Sequence, residues 1–343
     1  MTDEKKRFLV LVNLSSNGGR SGRILPRLRA LLPEGEFVVL KDIEEATRLA
    51  REVSGYEAVV ACGGDGTVNA VARGVLANRD DALKFGVLYT GTSPDFCREH
   101  GIPTEAEPAI AVLRDGTVRE IPVLTSNGEP FFCSMNLGMG AAVAASANRL
   151  RPRLGDFMGT LWSVLREVMR GRRYDIKVNG EEIHNIAHAL VTRMPRIAGG
   201  LKIALPPLAD DEYVLWFARD VSRFGCLRII WNMYRGKPCG EVRILRGRTE
   251  FVSEGHVALE YDGDPHGTLP VSVDFAPRRL RILVPTPYNE KYVIFTLKVK
   301  SALTDGWERC YNTLHEAPYT FEETQRIRLV VSCCHAGRPA AKR

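Results

Sequence analysis

Ala58-Val59-Val60-Ala61-Cys62-Gly63-Gly64-Asp65-Gly66-Thr67-Val68-Asn69-Ala70 runs from an apolar strand through a glycine-rich turn into a helix. A strand without polar alternation is one buried on both faces, as in a parallel sheet. Glycines at its carboxyl end let backbone N–H groups approach phosphate oxygens, and the N-terminus of the following helix favours negative charge. In a doubly wound sheet, ligands bind at that end of the strands. Asp65 cannot itself attract a phosphate. Among these glycines it makes sense as a group that holds Mg²⁺ or water between phosphate and protein. By itself Gly-Gly-Asp-Gly is ordinary turn chemistry. The strand before it, and Thr67 and the helix after it, raise it to a candidate nucleotide site.

The same alternation repeats outward. Phe8–Val12, Glu36–Leu40, Ala58–Ala61 and Phe85–Tyr89 read as short buried strands, while Gly22–Leu32, Glu44–Val53 and Asn69–Leu76 carry apolar residues at helical spacing. Repeated β–α units predict an α/β domain over residues 1–122, with a parallel sheet covered by helices on both faces. The pattern changes near residue 120. Strand candidates then follow one another at Arg119–Leu124, Pro130–Asn136, Tyr174–Val178, Ala187–Thr192, Val214–Ala218, Glu241–Arg246, Phe251–Ser253, His256–Tyr261, Val271–Phe275 and Leu280–Val284. Many are bounded by turns such as Asn127-Gly128 and Asn179-Gly180. Residues 123–285 therefore predict an antiparallel β domain, interrupted by helices near 153–171 and 222–235. Residues 286–343 form an extension in which Lys291–Val299 and Ile327–Val331 read as strands and Thr304–His315 as a helix.

A chain of 343 residues exceeds one typical core, which agrees with two domains. The net charge of +6 suits anionic partners such as nucleotides or an acidic lipid surface. No basic run is interleaved with aromatics, so nucleic acid is not an expected partner. The eight cysteines are scattered, without CxxC or zinc spacing, which fits a reducing cytoplasm. The apolar run near the N-terminus, Phe8–Val12, is too short for a signal peptide. No stretch reaches the roughly 18–20 apolar residues of a membrane span, so any membrane contact is expected to be peripheral. Leu154–Arg173 and Phe224–Lys237 combine an apolar face with arginines. That pattern can suit an anionic membrane surface, but a face packed on the β domain is its commoner meaning.

Four segments resemble a known family. Gly63-Gly64-Asp65-Gly66-Thr67 resembles the signature of lipid kinases of the diacylglycerol and sphingosine type and, more distantly, of NAD kinases and phosphofructokinases. Gly86-Val-Leu-Tyr-Thr-Gly-Thr-Ser-Pro-Asp-Phe-Cys-Arg98, followed by Gly101-Ile102-Pro103, resembles the bacterial diacylglycerol kinase pattern Gly-Thr-x-Asn-Asp-Phe-Ala-Arg and Gly-Ile-Pro. Val12-Asn13-Leu14-Ser15-Ser16-Asn17 resembles the family's Asn-Pro-x-Ser-Gly nucleotide loop, and Leu259-Glu-Tyr-Asp-Gly-Asp264 its Leu-Asp-Gly-Glu.

The resemblance implies an NAD kinase/phosphofructokinase-like α/β domain followed by an all-β sandwich, with the site in the cleft between them. It implies ATP and Mg²⁺ as cofactors and a lipid alcohol, diacylglycerol first, as acceptor. By resemblance Asn13, Leu14, Ser15, Ser16 and Asn17, then Gly63, Gly64, Asp65, Gly66, Thr67, Val68, Asn69 and Ala70, and also Thr92, contact the nucleotide. Asp65 lies near Mg²⁺. Asp264 is the catalytic base for the lipid hydroxyl, Asp262 supports it or binds Mg²⁺, and Asp210 holds a second, structural Mg²⁺. The resemblance also implies a homodimer, although no heptad here carries one. The chain departs from the family at Leu14 and Asn17, at Ala70, at Pro94 (usually Asn), at Leu208-Ala-Asp-Asp-Glu-Tyr213 (which lacks an Asp-Gly) and at Asp264, one methylene shorter than Glu. Two rival readings stand beside the lipid kinase: a kinase of a soluble metabolite, and a nucleotide- or lipid-binding module without turnover.

Overall fold

In a computed structural model, which describes residues 6–286, the apolar runs of the first third become a parallel sheet. Strands β1 (Lys6–Val12), β2 (Gly35–Val39), β3 (Tyr56–Gly63) and β4 (Lys84–Tyr89) pair in parallel in the order β2-β1-β3-β4. Successive side chains of a strand point to opposite faces, so a run that is apolar throughout needs a cover on each side. Val10, Val12, Ala58 and Val60 pack with Leu25 and Leu28 of α1 (Ser16–Leu31). On the opposite face, Leu9, Leu11, Val59 and Ala61 pack with Ala46 and Ala50 of α2 (Ile43–Glu52) and with Val68, Val71 and Val75 of α3 (Asp65–Leu76). The short α4 (Asp95–His100) follows β4, and Ala109, Ile110 and Leu113 of α5 (Ala106–Asp115) join α1 on its face.

After β5 (Thr117–Ile121) the chain builds a second, antiparallel sheet of eleven strands. Its strands are β6 (Leu124–Ser126), β7 (Glu129–Phe131), β8 (Ser134–Gly138), β9 (Tyr174–Val178), β10 (Glu181–Thr192), β13 (Glu212–Arg219), β14 (Glu241–Arg246), β15 (Thr249–Val252), β16 (Ala258–Tyr261), β17 (Asp264–Thr268) and β18 (Val271–Phe275). A two-residue pair, β11 (Arg196–Ile197) and β12 (Leu201–Lys202), stands apart from it. The sheet curls around one core that includes Leu137, Ala189, Val191, Leu215, Phe217, Phe251, Leu259 and Val273. Alternate residues Leu190, Val214 and Trp216 face outward and are covered by Met233 of α7 (Arg223–Arg235).

The last strand, β19 (Leu280–Val284), departs from the sequence reading. It lies in the first sheet, parallel to β4 and antiparallel to β5. Its residues are apolar throughout, which fits a strand buried on both faces, but local pattern does not say which sheet will receive it. The segment Arg119–Leu124, read as one strand, divides at Pro122 into β5 of the first sheet and β6 of the second. A proline has no N–H for a ladder, so the strand ends there.

The helix expected near 153–171 is also larger, spanning α6 (Met139–Arg170). It turns sharply at Gly155, with φ 72° and ψ 173°. Ser163 Oγ donates to Ser146 Oγ at 2.9 Å. Along a straight helix those residues would stand about 25 Å apart, so α6 is a hairpin of two arms. The strands and helix expected within 286–343 lie outside the described residues.

Candidate active site

The carboxyl ends of β1, β3 and β4 converge on one turn. Thr90 N–H donates to the Gly63 carbonyl at 2.8 Å, which ties the loop after β4 to the end of β3. The approach is tight: a Cβ on Gly91 would lie 2.7 Å from the Gly64 Cα. Helix α3 starts at Asp65, and its first intrahelical bond runs from Val68 N–H to the Gly64 carbonyl at 2.9 Å. The N–H groups of Asp65, Gly66 and Thr67 precede that bond and are the natural donors for an anion. Space beside Gly66 is open, since a Cβ there would meet nothing within 4 Å.

The loop after β1 closes the other side. Asn13 Nδ2 donates to Thr67 Oγ1 at 3.0 Å, and Asn13 Oδ1 accepts from the N–H and Oγ of Ser15 at 3.1 and 2.7 Å. Asn17, Gly18 and Gly19 follow with φ of 48°, 59° and 84°, so the chain turns back before α1 becomes regular. Asn17 therefore fills a left-handed position that the family's glycine would occupy at less cost. Asn13, Ser15, Ser16, Gly64, Asp65, Gly66 and Thr67 are thus brought together. Leu14, in this loop, and Thr92, in the loop after β4, are exposed. Val68 and Ala70 are different: both side chains are buried in the core beneath α3, so only their backbone can serve the site. Asn69 is buried, with Oδ1 lacking a partner.

Asp65 carries the electrostatics. Tyr89 Oη donates to its Oδ2 at 2.7 Å, while Oδ1 is buried without a hydrogen-bond partner. Burial, with the charges of Asp95 and Asp262, outweighs the Tyr89 bond and raises the Asp65 carboxyl to about 6. An unpartnered, desolvated carboxylate oxygen fits a divalent cation. Among the described residues no three Asp, Glu, His or Cys side chains form a ready cage. An ion here would take its other ligands from phosphate oxygens and water, as Mg²⁺ commonly does. Asp95 is buried too, and its Oδ2 accepts the Gly199 N–H from the β11–β12 loop at 2.6 Å. Pro94 occupies the N-cap of α4, where a missing N–H costs the helix nothing.

The second lobe presents the hairpin β16–β17. Asp262 and Gly263, with φ of 53° and 99°, form its two-residue turn, and Asp-Gly is favoured where both central residues need positive φ. The two aspartates of this segment stand in different surroundings. Asp262 accepts N–H bonds from Phe132, Cys133 and Ser134 at 2.8, 2.7 and 3.1 Å, so both its oxygens anchor the β7–β8 loop. Its first task is thus to hold that loop, which leaves one acceptor position free on Oδ2. Asp264 begins β17 and is exposed. Glu260 lies beneath the turn, accepting the Gly263 N–H and, at 2.6 Å, Asn136 Nδ2. Burial pushes its carboxyl up to about 8. Tyr89, Asp95, Asn136 and Glu260 were not singled out from the sequence as site residues. Asp95 had a signal in the Thr92–Phe96 segment, and Glu260 in being the lone acid of an apolar strand.

Asp210 does not fit a structural Mg²⁺. Its carboxylate pairs with Arg279 at 2.8 Å. The carbonyls of Ala209 and Asp210 accept from Arg193 Nη1 at 3.1 and 3.3 Å, and the Glu212 carbonyl accepts from the same nitrogen. One guanidinium thus gathers the carbonyls that a cation in this loop would need. Chelation with EDTA is accordingly expected to leave the melting temperature of the unliganded protein unchanged. Arg193→Met should lower its stability by about 1–3 kcal/mol, through carbonyls left without donors. A fall of several degrees on chelation, read by calorimetry, would show instead that a metal holds the loop.

Comparison with known proteins agrees with this arrangement. Residues 7–126 match the model of the diacylglycerol kinase catalytic domain, and residues 133–284 that of the YegS C-terminal NAD kinase beta sandwich-like domain. A protein of Enterobacter sp. (strain 638) named "Probable lipid kinase YegS-like" is 27% identical over 276 residues, 78% of this chain and 88% of its own. The "Diacylglycerol kinase" of Bacillus subtilis (strain 168) is 24% identical over 260 residues, 72% of this chain and 84% of its own. A crystal structure of a diacylglycerol kinase from Bacillus anthracis str. Sterne shares the fold, with a TM-score of 0.66 and 19% identity over 83% of this chain and 98% of that one. The first matched domain carries the Gly64–Thr67 turn and the second the Asp262–Asp264 hairpin, and the chain belongs to the diacylglycerol kinase/YegS-like family of lipid kinases.

Proposed function

We propose that this chain transfers the γ-phosphoryl group of ATP to the free hydroxyl of diacylglycerol, working in the cytoplasm at the inner membrane face with Mg²⁺ held at Asp65. The observation that carries the reading is the pairing of two ends: the anion-binding start of α3 and the exposed carboxylate of Asp264 belong to elements close enough for Asp65 and Asp262 to feel each other's charge. ATP supplies the phosphoryl group, and Mg²⁺ when bound neutralises phosphate charge. Phosphoryl transfer otherwise asks mainly for positioning. The N–H groups of Asp65, Gly66 and Thr67 would cradle phosphate oxygens, and Asn13 would hold Thr67 in place. Asp264 would take the proton of the acceptor hydroxyl as its oxygen bonds to the γ-phosphorus and the bond to ADP breaks. Asp262 and Glu260 would hold the turn that aims Asp264. The five cysteines among the described residues are all free, which supports a reducing compartment.

The test is incubation with γ-labelled ATP, Mg²⁺ and a panel of lipid alcohols in detergent. Label in phosphatidic acid, strongest with diacylglycerol among the panel, is the expected result. Label in another lipid would move the acceptor within the family. ATP binding with no labelled product would favour a binding module.

A further inference from the structure

We propose that the second arm of α6 and helix α7 form one docking face for an anionic lipid bilayer. Val168 and Cys226 are buried together, with Val164 and Ile230 packed against them, so these two helices lie side by side. Their outer faces are apolar. Trp162, Leu165 and Met169 form a stripe on one, with Trp162 59% and Met169 63% exposed. Phe224, Trp231 and Tyr234 form a stripe on the other, with Phe224 83% exposed. Stacked Trp231 and Tyr234, with the Arg235 guanidinium over the Trp231 ring at 5.9 Å, present amphipathic rings of the kind that settle at a membrane interface. Among the described residues no helix is long and apolar enough to cross a membrane, so the contact is with its surface.

The charge around the stripes selects the partner. From Val221 to Gly240 the chain has no acidic residue, and among the described residues Arg223, Arg228, Arg235 and Lys237 have no carboxylate partner. The one described acid on the α6 arm beyond Gly155, Glu167, is buried and paired with Arg166 and Arg170. An apolar face ringed by unpaired cations matches anionic headgroups above acyl chains. A second copy is a poor match, because a two-fold contact through this face would set arginine against arginine.

The face is also linked to the hydroxyl-accepting turn. Ser163, next to Trp162, bonds Ser146 on the other arm, and Asn148, two residues on, donates from Nδ2 to the Gly263 carbonyl at 3.0 Å. The inner side of the same arm is therefore tied, through the first arm of α6, to the hairpin that bears Asp264. This part deepens the proposed lipid-kinase reading and rests on it, whereas vesicle binding does not.

The test is co-sedimentation of the full chain with vesicles of phosphatidylcholine alone or with one third phosphatidylglycerol, at 0.1 M salt. Binding is expected only with phosphatidylglycerol, reduced at least tenfold by Phe224→Ser with Trp231→Ser, and reduced by Arg228→Gln with Arg235→Gln. The exposed positions leave the melting temperature unchanged, and phosphorylation of a short-chain soluble diacylglycerol should be unaffected. Absence of vesicle binding, or equal binding by the aromatic double variant, overturns the proposal. So does a wild-type dimer that the variant dissolves, or a variant whose only change is protease sensitivity of residues 287–343, since another occupant then covers the face. Vesicle binding without any phosphorylated lipid would leave the docking face standing and sink the kinase reading instead.

Discussion

Asp65→Asn is expected to cut phosphoryl transfer by roughly 10³-fold, the scale of losing several kcal/mol of metal-borne charge stabilisation. The same substitution should stabilise the unliganded protein at pH 8. Unfolded, this carboxyl titrates near its ordinary 3.8, and folded near about 6. Between those values the folded state holds a proton that the unfolded state has released, so stability falls as pH rises through the window and stays low above it. Ionised Asp65 thus costs the empty protein about 1–3 kcal/mol at pH 8. Asparagine keeps an acceptor for Tyr89 and removes that cost, so its melting temperature should rise by a few degrees at pH 8 and by less at pH 5. A variant that melts lower than wild type at both pH values would mean that Asp65 is a structural acid rather than a site strained for its ligand.

Asp264→Asn should lower kcat by roughly 10²–10⁴-fold, the range for loss of a general base, while ATP affinity and melting temperature stay close to wild type. Two residues earlier, Asp262→Ala should do the reverse first. It removes three hydrogen bonds to a charged acceptor and leaves the Phe132, Cys133 and Ser134 N–H groups unsatisfied. The expected cost is about 3–5 kcal/mol of stability. Urea melts and initial rates on both variants separate the two roles. An Asp264→Asn enzyme that keeps more than a tenth of its rate would remove this residue as the base.

Much of this was legible in the sequence because it is local. Strand, glycine turn and helix occupy the contiguous span 58–76, whereas the burial of the Val68 and Ala70 side chains in the core was not read from it. What Asp262 holds was not legible, since it depends on the β7–β8 loop arriving from about 130 residues away. Tyr89 ends an apolar strand and reads as core; only the fold shows its hydroxyl meeting Asp65. The first arm of α6, rich in alanine and serine, lacked a wide apolar face, and its turn at Gly155 looks like an ordinary interior glycine. Asp210 was assigned by position, but what fills its loop is an arginine seventeen residues earlier in the chain.

The placement of β19 bears on how this chain is made. Leu280, Ile282 and Val284 complete the core on one face of the first sheet and Leu283 on the other, and β5 has β19 as its sheet partner. As the ribosome delivers the chain, the lobe built on the parallel sheet emerges ahead of the hairpin lobe yet lacks its penultimate strand until residue 284 has appeared. In that interval β4 is an open edge and β5 has no ladder, which is the condition that invites mispairing with other nascent chains. The hairpin lobe, inserted between β5 and β19, must be made before the lobe that precedes it can close.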